Sequence, residues 1–158
     1  MVRKFSSLLV ALGIMAGAPE ANAGSTDWLA STNWEVMEWT APVTVSVDTA
    51  SIAAHAARIT ARVMWDYAET QNTRGQAAAP FKSMVGIVVF DCATKRFGGA
   101  GSVAYSGDGG DGEAVAQYAI NPENAALSST EPGTIGRDLL TYVCAHAPRA
   151  SRTTPREP

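Results

Sequence analysis

The run Met84-Val85-Gly86-Ile87-Val88-Val89-Phe90 carries no polar side chain, and it constrains the fold more than any other segment. It is too short for a buried helix and rich in β-branched residues, so it reads as a strand covered on both faces. Such a strand needs neighbours at its edges and something packed on each side. The neighbours are legible in the flanking sequence. Val43, Val45 and Val47 alternate with Thr44, Ser46 and Asp48. Successive side chains of a strand leave opposite faces, so the valines are expected to face a core and the polar trio to face water. Trp34 to Trp39, broken off by Thr40-Ala41-Pro42, forms a hairpin with that strand. Asp48-Thr49-Ala50-Ser51-Ile52 offers Asx and hydroxyl turn chemistry, and the Ala-rich stretch after it reads as one helical turn. Ile59, Ala61, Val63, Trp65 and Tyr67 then mark a third strand, and the aperiodic segment from Ala68 to Pro80 a surface loop. Phe97, Val103 and Tyr105 share one parity, and Gly99 and Gly101 between them imply a bend or the close approach of another backbone. Ser106 to Gly112 reads as a hairpin tip and Glu113 to Ile120 as the last strand.

One helix is expected. Thr134 can cap it, and Ile135, Leu139, Leu140 and Val143 fall on one side at helical spacing, ending at Cys144. Its apolar face is the natural cover for the strand Met84–Phe90. The pattern is therefore α+β, and with 158 residues, 46% apolar and 17% charged, it describes one globular domain with a single core rather than a two-domain enzyme.

The N-terminus supplies an address. Arg3 and Lys4, an apolar run from Phe5 to Ala18 and the small residues Ala21-Asn22-Ala23 form a secretory signal cleaved after residue 23. The run is too short to span a bilayer, and no cysteine follows it for acylation, so neither a membrane span nor a lipid anchor is expected in the mature chain. The product is periplasmic, secreted or displayed at the cell surface. Cys92 and Cys144 both lie in the exported part, where an oxidising compartment makes a bond between them the default reading; a metal pair or a catalytic thiol are the competing ones. Residues 24–33 form an N-terminal extension, 34–147 the domain, and 148–158 a tail expected to be disordered.

The ordered set of elements resembles the surface-adhesin protein E family of bacterial envelope proteins. The features that carry the resemblance are Trp34 on a first strand, Val45-Ser46-Val47-Asp48 followed by Ser51-Ile52, and Trp65-Asp66-Tyr67-Ala68. They continue with Phe81-Lys82-Ser83, Phe90-Asp91-Cys92 with Lys95-Arg96 behind it, and Ala104-Tyr105-Ser106 before the Gly-rich turn. Glu131-Pro132-Gly133-Thr134 opens the helix and Cys144 ends it. The resemblance implies an antiparallel sheet of roughly six strands with the C-terminal helix packed on it and disulfide-linked to it. In function it implies binding of host matrix proteins. The tyrosine pair usual before the Gly turn is Ala104-Tyr105 here, and the tryptophan expected ahead of the Pro-Gly turn is absent between Asn121 and Thr130.

Chemistry-bearing residues are sparse. His55 and His146 are the whole imidazole inventory, and neither a His-Glu-x-x-His nor a Gly-x-Ser-x-Gly motif is present. Asp108, Asp111 and Glu113 have the wrong spacing for a calcium loop, and Gly98-Gly99-Ala100-Gly101 lacks the lysine of a phosphate loop. Lys95, Arg96 and Arg62 could form a small cationic patch, and Trp28, Trp34, Trp39 and Trp65 a ligand platform, although packing is the commoner use of tryptophan. A net charge of -3 without a basic stripe excludes a nucleic-acid partner. The reading is a non-catalytic protein-binding module with an envelope or host matrix protein as partner, and with no catalytic residue, metal or cofactor. A small envelope hydrolase or metal-dependent enzyme using His146, Asp91 or Glu113, and a structural or thiol-responsive envelope factor, are the alternatives.

Overall fold

The computed structural model describes residues 33–37, 42–74 and 78–148. Its strands are β1 (Trp34–Met37), β2 (Val43–His55), β3 (Arg58–Asn72), β4 (Pro80–Asp91), β5 (Arg96–Tyr105), β6 (Ala114–Ala119) and the two-residue β7 (Ser128–Ser129), followed by the helix α1 (Ile135–His146). Six strands lie side by side in chain order, all antiparallel, and β7 adds to the free end of β5. The α+β class, the antiparallel sheet and the C-terminal helix are as expected. The expected signal (1–23), extension up to residue 32, Trp28, Trp39 and the segment 149–158 lie outside the described residues.

The helix covers one face of the sheet. Val45 and Val47 from β2, Ala61 and Val63 from β3, and Val88 and Phe90 from β4 pack with Leu139, Leu140 and Val143 of α1 in one buried cluster. Thr134 caps the helix as its sequence predicts, its side chain accepting from the Arg137 N–H. At the other end Cys92, in the β4–β5 turn, is bonded to Cys144 across a separation of 52 residues. The crosslink therefore fastens the C-terminal end of the helix to the end of the two-sided strand, and the metal and thiol readings of the pair fall away.

Four local expectations are corrected. Strand β2 does not stop at Asp48: the turn chemistry from Asp48 to Ile52 is real, but it builds a bulge, after which Ala53, Ala54 and His55 resume pairing with β3. The Asp48 carboxylate accepts from Ala50 N–H, and the Ser51 hydroxyl links the Asp48 carbonyl to the Arg62 N–H. No helical turn forms, because strand pairing satisfies more backbone groups than one turn of helix would. Nor is Asp48 on the water side: it is fully buried and ion-paired with Arg62, while Ser46 is buried beside it. The loop expected from Ala68 is shorter, since β3 continues to Asn72. Finally, Gly99 and Gly101 pair with consecutive residues Val88 and Ile87, so Ala100 is an extra residue in β5. That bulge reverses the parity, putting Phe97 on the helix face against Phe90 and Val103 on the opposite face beside Val85.

Candidate functional site

Antiparallel partners share a face, so the register defines what the helix leaves uncovered. One row across the sheet reads Val36, Ser46, Met64, Val85, Val103 and Gln117, and the next reads Trp34, Asp48, Arg62, Ile87, Gly101 and Ala119. Both rows turn away from α1, because their neighbours along the strands form the helix-side cluster.

Two chain segments cover the ends of this second face. At one end the Gly-rich tip does not project as a hairpin. It folds over β3 and β4 in a short 3-10 turn at Asp108–Gly110, where the buried Ser83 hydroxyl donates to the Gly107 carbonyl and accepts from the Gly110 N–H. The Asp66 carboxylate accepts from Gly109 N–H in the same turn. At the other end the segment from Asn121 to Ser129 crosses β4 and β5, packing Ala125 and Leu127 on Val89 and Ala100. Arg58 donates to the carbonyls of Pro122, Glu123 and Ala125, and Arg96 to that of Leu127. The approach is so close that a Cβ at Gly98 would lie 2.1 Å from the Ala126 carbonyl oxygen. Close backbone approach is the property that the glycines of this strand imply.

Between the two covers the face stays open. Val85, Ile87, Gly101, Val103, Tyr118 and Ala119, with Arg62 at one wall, line a cleft of about 340 Å³ that is almost wholly apolar. Val85 is fully buried in its floor, whereas Ile87 is 44% exposed. Arg62 does not make the cleft cationic, since its guanidinium is paired with the buried Asp48. The site thus offers apolar area and a neutral wall, a surface for contact rather than for proton transfer.

The sequence-selected residues lie elsewhere. His146 is exposed at the end of α1, stacked on Tyr142 with Nδ1 2.8 Å from the Tyr142 carbonyl oxygen. His55 is exposed at the end of β2. The Asp91 carboxylate accepts from the backbone N–H groups of Thr94 and Ala93, and the Thr94 hydrogen bonds in particular hold its carboxyl below the usual carboxylate range. Glu113 is exposed at the start of β6. No hydrogen bond or ion pair among the described residues joins any of these to another, and no group of three or more potential metal ligands occurs among the described residues. Lys95 lies in the β4–β5 turn and Arg96 opens β5, where it is engaged by the Leu127 carbonyl, so they make no patch with Arg62. Trp65 packs against the helix-side core, as the packing reading of the tryptophans has it. The cleft residues went unrecognised in the sequence; their one signal is the double apolar face of β4, whose second side the helix cannot reach.

A family model described as surface-adhesin protein E matches residues 34–145. The chain belongs to the surface-adhesin protein E family. The match spans all seven strands and reaches the last turn of α1, so both the helix-covered face and the open cleft belong to the family domain. Solved structures of Haemophilus influenzae protein E share the fold. One matches with a TM-score of 0.54 at 13% identity, covering 75% of this chain and 89% of that one. A second crystal form matches with a TM-score of 0.53 at 13% identity, over 72% of this chain and 88% of that one. No curated protein matches the chain significantly. Among the described residues no helix is long and apolar enough to cross a membrane.

Proposed function

We propose that this chain is an exported, non-catalytic module that works by holding another protein, either a component of the cell envelope or a host matrix protein. The observation that carries the reading is the open apolar cleft on the sheet face opposite the helix, in a domain whose family is one of surface adhesins. Apolar side chains left exposed on the open face of an otherwise well-packed sheet, here Ile87 in the cleft and Val36 in the neighbouring row, are what a protein contact would bury. On this reading residues 1–23 are a cleaved secretory signal, residues 34–147 are the binding module, and the product acts outside the cytoplasm with its disulfide intact. No cofactor takes part.

The test uses the disulfide-intact chain from Gly24, immobilised and presented in turn with purified matrix proteins and with fractionated envelope proteins. Saturable binding that Ile87→Lys abolishes, with the fold unchanged by circular dichroism, is the expected result. Binding that is indifferent to charge at position 87, or no saturable binding to either class, contradicts the proposal.

A further inference from the structure

The far edge of the sheet has a property that the cleft alone does not explain. Strand β6 is the last in the order and pairs only with β5 among the described residues. The Ile120 N–H donates to the Ala100 carbonyl at 2.8 Å, and the Tyr118 carbonyl oxygen lies 3.0 Å from where a Cβ on Gly101 would sit. Tyr118 and Ile120 therefore turn their backbone groups inward, and strand alternation turns those of Gln117 and Ala119 outward. Proteins usually blunt such an edge with a charge, a proline or extreme shortness, because an unpaired ladder recruits any extended chain. Strand β6 reads Ala-Val-Ala-Gln-Tyr-Ala, without charge or proline, and five of its six residues are exposed. The opposite edge is guarded: β1 has only four residues, and its Glu35 is held to the helix by the Tyr142 hydroxyl.

The edge and the cleft are continuous. The Gln117 and Ala119 side chains point to the open face, and Ala119 forms the cleft wall next to Val103 and Ile87. A strand added beyond β6 would lie about 4.8 Å away and extend the same two rows, within reach of a long side chain folding back over Ala119. With Arg62 neutralised by Asp48, the side chain that the cleft fits is uncharged and apolar. We propose that β6 captures an extended segment of the partner protein by strand addition, main chain to main chain at Gln117 and Ala119, while one large apolar side chain of that segment enters the cleft. This deepens the protein-binding reading and rests on it.

The probe is a blocked nine-residue peptide, Lys-Thr-Val-Thr-Leu-Thr-Val-Thr-Lys, added to the disulfide-intact chain at up to roughly millimolar concentration. Amide hydrogen exchange is expected to slow at Gln117 and Ala119 and not at β1. Gln117→Pro deletes an outward N–H, leaves the β5–β6 ladder whole, and is expected to weaken the peptide by about tenfold. Should that variant disturb the fold, Ala119→Lys blocks the same edge by charge. Ile87→Lys should weaken the leucine-bearing peptide more than one carrying threonine in its place. No protection at Gln117 and Ala119 overturns the proposal, as does peptide binding unchanged by both edge variants. Protection that rises with protein concentration without peptide gives the edge to a second copy and overturns the peptide partner. Full-strength capture of a matrix or envelope protein by Gln117→Pro defeats strand addition alone, whereas peptide protection with no protein captured defeats the proposed function.

Discussion

The two faces of one sheet meet different fates. On the helix side, side chains from β2, β3 and β4 close with α1 into a core in which Val45, Val47, Val63, Phe90, Leu139 and Val143 are at most 1% exposed. On the other side β4 and β5 present apolar residues, Val85, Ile87 and Val103, beside Ser46, Asp48 and Arg62 of β2 and β3, yet only the ends are covered, and Ile87 remains 44% exposed at the centre. The difference lies in the cover. A helix with three turns of apolar stripe spans several strands, whereas the folded turn at Asp108–Gly110 and the segment 121–129 are short and held mainly by polar contacts to Ser83, Asp66, Arg58 and Arg96. A face buried by a helix stabilises the fold, and a face left partly bare is available for a partner.

The sharpest way to break the contrast is to release the helix. Replacing Cys92 and Cys144 by serine opens a crosslink of 52 residues' separation, and the loss expected from the chain-entropy argument is about 4 kcal/mol, read as a fall in the urea midpoint. A loss near zero would mean that packing alone holds α1. Next comes the buried ion pair beneath the open face. Asp48→Ala leaves Arg62 without its fully buried partner charge and should cost about 3 kcal/mol. Truncation then compares the faces directly. Leu139→Ala should cost about 3 kcal/mol in equilibrium unfolding, while Ile87→Thr in the cleft should cost less than about 1. Equal costs would show that the second face is as closed as the first. A smaller effect tests the β2–β3 turn: Ala56 holds a left-handed backbone at φ 53°, so Ala56→Gly should stabilise by about 0.5–1 kcal/mol.

The smallest effect concerns the fastening of β1 to the helix. Partial burial, the hydrogen bond to Glu35 and the nearby carboxylate charge push the Tyr142 phenol up to about 12 from an ordinary 10.0. A pKa raised in the folded state stabilises fully below the unfolded value, and that contribution is lost as pH climbs from about 10 to about 12. Burial raises Tyr67 and Tyr105 as well, so spectrophotometric titration should find several tyrosines ionising late, and Glu35→Gln should bring down the step that belongs to Tyr142.

The helix-covered face was legible because it obeys period rules. The alternation of β2 and β3, the capping Thr134 and the stripe Ile135 to Val143 each name the side that packs, and the two cysteines join the elements those patterns bring together. The open face was not, for three physical reasons. The bulge at Ala100 changes the parity, so Val103 crosses to the face opposite Phe97, while Asp48 keeps the face its alternation assigns and is buried there by an ion pair with Arg62 that no period announces. The 121–129 cover has no periodicity, being held by arginine-to-carbonyl bonds that no spacing announces. The cleft, in turn, is the space two non-adjacent segments fail to fill, a property of their placement rather than of any one stretch of sequence. Only the double apolar face of Met84–Phe90 hinted at it, by asking for a second cover larger than the chain supplies.

The direct test of that difference is nuclear magnetic resonance of the methyl groups in the disulfide-intact chain, with a soluble paramagnetic agent added. The account predicts strong attenuation of the Ile87 and Val36 methyls and little change at Val45, Val47, Val63 and Val143. Ile87 as protected as Val45, or Val143 attenuated with Ile87, would contradict it.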